Sequence, residues 1–140
     1  MRARRRVTQP TREDLVFFID RSVGKHSVAG PLRSAGLQVE IHDDHFPPDA
    51  KDQDWLPIVG KRGWIVITCD ARIRYRRLEL TAALNAGVGM FVIVSKNLTG
   101  PQIADILLAS SKRIRRFILH NPKPFVARIY RDGTIRNLDV

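Results

Sequence analysis

The chain has a single cysteine, Cys69. It can form no internal disulfide, so nothing about it requires an oxidising compartment. Cys69 lies inside an apolar run, where an inert packed thiol is the ordinary outcome and a nucleophile is not. No apolar run approaches the ~18 residues of a membrane span. The basic start, Arg2 to Arg6, is followed by Glu13 and Asp14 and then only five apolar residues, which does not read as a signal peptide. A cytoplasmic protein with no membrane contact is the simplest reading. The chain also lacks a Gly-rich phosphate loop, a defensible Ser-His-Asp or Cys-His arrangement, an internal repeat and a low-complexity tract. His42 and His45 flank Asp43 and Asp44, but no set of ligands has zinc spacing. Acid is scarce, at 14 Asp and Glu against 24 Lys and Arg, a net charge of +10 in 140 residues. Such a surface favours polyanions such as RNA, DNA or an acidic protein, although charge also serves solubility alone.

What the chain does have is an alternation of short apolar runs with helical patterns. Residues 1–12 read as a basic N-terminal arm with nothing to hold it in place. Residues 13–140 read as one domain, a length sufficient for a real core. Leu15 to Ile19 is short, continuous and β-prone, as a strand buried on both faces should be. His26 to Ala35 has helical spacing and ends at Gly36. Leu37, Val39 and Ile41 alternate with polar residues as a second strand. His42 to Lys51 reads as a polar loop. A helix from about Asp52 to Arg62 requires Pro57 to lie near its first turn. Trp64 to Cys69 is the clearest strand, Arg76 to Ala86 a helix, and Val88 to Val94 a fourth strand. Thr99-Gly100-Pro101 opens another helix, with Ile103, Ile106, Leu107 and Ile114 as its apolar positions. Phe125 to Tyr130 and Thr134 to Leu138 form a β-hairpin around Arg131-Asp132-Gly133. The pattern predicts an α/β fold with a mostly parallel sheet, right-handed crossovers and a C-terminal hairpin.

In this order Asp20 closes the first strand and Asp70 follows the third, while Asp52 and Asp54 open the helix between them. Functional groups of open α/β sheets collect outside the carboxyl ends of the strands, near the point where strand order reverses. Carboxylates gathered there repel one another and suit Mg²⁺ or Mn²⁺, which prefer hard oxygen ligands. On a basic protein, a cation held by acids suggests a phosphodiester substrate. Each acid also has a plainer role open to it as a turn former or helix N-cap.

Phe17-Phe18-Ile19-Asp20-Arg21-Ser22-Val23-Gly24, Leu32-Arg33-Ser34-Ala35-Gly36, Asp52-Gln53-Asp54-Trp55-Leu56 and Gly63-Trp64-Ile65-Val66-Ile67-Thr68-Cys69-Asp70 together resemble the PIN-like domains. The nearest resemblance is to the VapC-type toxin branch, which Asn97-Leu98-Thr99-Gly100 and Ala127-Arg128-Ile129-Tyr130-Arg131-Asp132-Gly133 also match. The resemblance runs from about Leu15 to Leu138. It implies a three-layer α/β/α PIN-like fold and a Mg²⁺- or Mn²⁺-dependent endoribonuclease, often the toxin of a toxin–antitoxin pair. It also implies a cognate antitoxin protein as partner, and leaves a homodimer open. By the same resemblance, Asp20, Asp52 and Asp70 would be the metal ligands and Asp54 a rival of Asp52. Many PIN domains carry a further acid shortly after the last. Here Ala71-Arg72-Ile73-Arg74 follows Asp70, so either Asp43, Asp44 or Asp54 substitutes, or the site holds one metal, or activity is weak; Glu79 is a more distant candidate.

Arginines cluster at Arg2 to Arg6, at Arg72, Arg74, Arg76 and Arg77, and at Lys112, Arg113, Arg115 and Arg116. The middle group, with Arg21, could hold phosphates flanking a scissile bond, and Tyr75 could stack a base. A solvated loop and helix face explains the same residues equally well. The third group reads as an exposed helix face. Ser95 and Asn97, after the fourth strand, point to the same crevice, Asn97 more as a loop cap, and Thr68 could offer it a hydroxyl. Two other readings stay open: a non-catalytic RNA- or protein-binding module, and a phosphohydrolase of small esters.

Overall fold

A computed structural model describes residues 15–69, 77–94 and 97–138. The expected N-terminal arm lies outside those residues. The first apolar run forms β1 (Val16–Ile19), followed by α1 (His26–Ser34), β2 (Gln38–Ile41), α2 (Asp52–Lys61) and β3 (Ile65–Thr68). Then come α3 (Arg77–Asn85), β4 (Gly89–Val94), α4 (Gly100–Ala109), α5 (Ser111–His120), β5 (Phe125–Tyr130) and β6 (Ile135–Asn137). The six strands form one sheet in the order β2-β1-β3-β4-β5-β6. All neighbours are parallel except β5 and β6. The expected hairpin is present, and its first strand extends the parallel sheet to five strands.

Strand alternation divides the core into two layers. Phe17, Ile19, Ile65, Ile67, Phe91 and Ile93 pack with Val28 and Leu32 of α1, Ile103 and Leu107 of α4 and Ile114 of α5. Phe18, Val66, Met90, Val92 and Val126 face the other way, onto Trp55, Leu56 and Val59 of α2 and Ala83 of α3. The result is the expected α/β/α arrangement.

Three expectations are corrected. The Thr99 helix is two helices that meet at Ser110, which closes α4 and opens α5. The start of α4 is as the sequence reads: Thr99 and Gln102 form a reciprocal capping box, with Pro101 in the first turn. Pro57 is the sixth residue of α2, beyond its first turn. The burial of Trp55, Leu56 and Val59 keeps the helix continuous despite the hydrogen bond that proline cannot donate. Finally, the crossovers are not all of one hand. The β4-to-β5 connection steps across the sheet in the same direction as β3-to-β4, yet its helices α4 and α5 lie on the opposite face from α3. Its hand is therefore opposite to that of the other crossovers. Unlike the others, this connection carries two α-helices among the described residues.

Candidate active site

The strand order reverses at β1. From β1 the chain moves outward to β2 through α1, then returns past β1 to β3 through α2. The switch point is therefore the crevice between the carboxyl ends of β1 and β3, where α/β sheets place their functional groups. Asp20 stands there. It follows Ile19, which is in register with Ile67 of β3, and its backbone N–H donates to the Ile67 carbonyl at 3.1 Å.

The Asp20 side chain is held from one side. The backbone N–H and the hydroxyl of Ser22 both donate to its Oδ1, each at 2.6 Å. A serine hydroxyl has one proton. With that proton on Asp20, the 3.1 Å contact between Ser22 Oγ and Thr68 Oγ1 must use the Thr68 proton. Ser22 Oγ also accepts the Cys69 N–H at 3.0 Å. The chain Cys69 and Thr68 to Ser22 to Asp20 thus stitches the ends of β3 and β1 together and turns the carboxylate's other oxygen, Oδ2, away from these bonds. Thr68 is buried and reaches the site through Ser22. Ser22 is not among the site residues that the sequence singles out. The signal for it is local: Asp followed two residues later by a backbone donor is the side-chain turn that aspartate favours.

Asp52 and Asp54 lie exposed in the first turn of α2. Since α2 runs from the carboxyl end of β2 back to the start of β3, its N-terminus is on the same edge of the sheet as Asp20. Lys51, at the N-cap, gives this helix start no side-chain cap, and the two acids complement its dipole. Asp70, Arg72, Arg74, Tyr75, Arg76 and Ser95 lie outside the described residues. Among the described residues, no three His, Cys, Asp or Glu side chains come close enough to hold an ion. The donor chemistry of Asp20, Asp52 and Asp54 is that of a hard divalent cation.

Beside the crevice, His42–Asp44 forms a 3₁₀ turn where the sequence reads as a polar loop. His42 is 2% exposed, packed against the rings of Phe18, Phe46 and Trp55. Asp43 pairs with Lys25 and, at 3.1 Å, with Arg21, whose Nη1 also donates to the Pro48 carbonyl at 3.0 Å. The hydrogen bond from Lys25, more than any other influence, holds the Asp43 carboxyl below the usual carboxylate range. Arg21, a candidate for RNA contact, is thus engaged within the protein. His42 Nδ1 is 3.5 Å from Asp43 Oδ1, too far for a good hydrogen bond, and neither atom has a well-aligned one among the described residues. Asp44 is exposed at the end of this turn. Asn97 is exposed with φ of 62°, the left-handed backbone that suits asparagine in a turn.

A parallel sheet sandwiched by helices, with an oriented aspartate at the end of its first strand, defines the class. The profile of the family described as "PIN like domain" matches residues 15–95, more than half of the chain, and the chain belongs to that family. Among curated proteins it is similar to "Putative ribonuclease VapC45" of Mycobacterium tuberculosis (strain ATCC 25618 / H37Rv). The two are 28% identical over 126 residues, which cover 87% of this chain and 91% of that protein. No solved structure matches the chain significantly. Among the described residues, no helix is long and apolar enough to cross a membrane.

Proposed function

We propose that this chain is a metal-dependent endoribonuclease and the toxin of a toxin–antitoxin pair, with a cognate antitoxin protein as its partner. The observation that carries the reading is Asp20 at the switch point, its Oδ1 fixed by two bonds from Ser22. The VapC relative and the net charge of +10 support RNA as the substrate.

Asp20, Asp52 and Asp70 are the residues proposed to hold Mg²⁺ or Mn²⁺, with Asp54 assisting. Such an ion supplies charge neutralisation at phosphorus and a water of lowered pKa. The protein's own part is to position and to bind. Ser22 holds the Asp20 carboxylate in one orientation, Thr68 and Cys69 hold Ser22, and the basic surface keeps the RNA backbone close. The C-terminal end of β1, buried up to Ile19, gives the carboxylate a rigid base.

Two measurements on the full chain test this. Asp20→Asn should lower RNA cleavage by orders of magnitude while leaving the melting temperature without metal near that of wild type. Mn²⁺ at millimolar concentration should raise the wild-type melting temperature and not that of the variant. Equal cleavage by wild type and Asp20→Asn would remove Asp20 from the site. RNA binding that is indifferent to chelator, without metal-induced stabilisation or cleavage, would make the chain a binding module instead.

A further inference from the structure

A second feature of the carboxyl edge lies away from Asp20. The ends of β4 and β5 and the start of β6 enclose an open groove of about 600 Å³, lined by Val94, Tyr130, Arg131, Asp132, Thr134 and Arg136. Val94 and Tyr130 are in register across β4 and β5. They continue the rows Met90-Val92 and Val126-Arg128, which lie on the α2 and α3 face of the sheet. That is the face to which Phe18, two residues before Asp20, also belongs. β1, β3, β4 and β5 are successive neighbours, so at ~4.8 Å per strand the groove is about 14 Å from Asp20 along one edge.

Its charge is arranged at a cost. Arg128 and Arg136 are directly opposite each other in the antiparallel β5–β6 pair. Like charges in that position destabilise a sheet. Among the described residues, neither they nor Arg131 has an acidic partner. The one acid among the described residues that line the groove is used by its own turn: Thr134 N–H donates to Asp132 Oδ1 at 2.9 Å. A repulsive pair with no acidic partner among the described residues, beside an aromatic ring on an open edge, suits a surface that binds single-stranded nucleic acid. Guanidinium groups take phosphates and the ring takes a base face.

We propose that this groove is an RNA subsite flanking the cleaved bond, in which Arg131 and Arg136, with Arg128 beside them, hold backbone phosphates and Tyr130 stacks on a base. It deepens the ribonuclease reading and rests on it for the identity of the substrate. An acidic protein segment would use the arginines as well, but it would have no need of the ring.

The test uses the full chain carrying Asp20→Asn, so that RNA stays intact, and a labelled single-stranded RNA of about eight nucleotides. Arg131→Gln with Arg136→Gln should weaken binding roughly tenfold or more and make its salt dependence shallower by about two contacts. Tyr130→Ala should weaken it several-fold, and Tyr130→Phe should restore it. Lys61→Gln with Arg62→Gln removes two charges from the end of α2, at the opposite edge of the sheet, and should change affinity far less. Melting temperatures check that each variant is folded, and Arg136→Gln should not lower it. With Asp20 restored, the groove variants should raise KM and spare kcat.

Groove variants that bind RNA like their parent overturn the subsite alone. So does an equal loss in the α2 control, which would mean diffuse attraction. Loss of binding to polyglutamate but not to RNA makes the groove a protein contact and overturns the RNA assignment. Groove-dependent binding by a chain whose cleavage ignores Asp20→Asn leaves the subsite standing and removes the catalytic reading. No RNA binding by wild type overturns both.

Discussion

At the scale of single residues, the site is a question of where protons are. The one hydroxyl proton of Ser22 goes to Asp20, so Thr68 must donate and Cys69 N–H must find Ser22 as acceptor. Ser22→Ala removes all three bonds at once. It is expected to cost about 1–3 kcal/mol in stability, since Thr68 and the Cys69 N–H lose their partner. Cleavage should fall roughly 10–100-fold, as when an orienting partner of a ligand is lost. Urea unfolding and single-turnover cleavage on the same preparation check both. Asp43 supplies a pH signature. Its folded pKa is lowered, so its pairs with Lys25 and Arg21 stabilise the protein above the ordinary carboxylate pKa and fade as pH falls below about 4. Asp43→Asn should therefore be less stable than wild type at pH 7, with the gap closing as the pH falls through the lowered Asp43 range, as followed by melting temperature. The place of Asp20 is legible at this scale because it directly follows an apolar run that reads as a strand. Ser22 is not, because serine after a strand is common and its partners are far away in sequence.

Among the elements, α2 and α3 are joined by a close backbone approach. Gly60, near the end of α2, has no room for a side chain: a Cβ there would lie 2.2 Å from the Ala86 carbonyl oxygen just after α3. Alanine would gain about 1 kcal/mol of helix propensity. The backbone clash is worth more, and Gly60→Ala is expected to lose about 1–3 kcal/mol overall, read as a lower urea midpoint. Most elements can be read directly, since β1, β3 and β4 are apolar runs and α4 begins with a complete capping box. The break at Ser110 cannot, because Ile114 continues the helical spacing of Ile103 and Leu107 across the change of direction, and all three enter the same core layer. The burial of His42 is equally hidden. A histidine between two acids reads as loop until Phe18, Phe46 and Trp55 are seen around it.

For the whole molecule, the net charge of +10 acts as a field rather than as pairs. RNA affinity should drop by about tenfold or more between roughly 50 and 200 mM salt, whereas stability should change little. Fluorescence anisotropy across that range, beside melting curves, separates the two. The topology is legible as a parallel sheet, but its order is not. Nothing local tells the chain that β2 lies outside β1, or that α4 and α5 sit with α1. Those choices come from which apolar faces fit together.

The bonds that aim Asp20 span sequence separations of 46 and 47 residues, from Ser22 to Thr68 and Cys69. A ribosome making this chain therefore exposes the acid well before the groups that steady it. Until β3 has emerged and docked beside β1, the carboxylate has only its own turn to hold it. An N-terminal fragment that stops before Ile65 carries the acid with only the Ser22 turn to direct it, so on the proposed reading cleavage waits for β3.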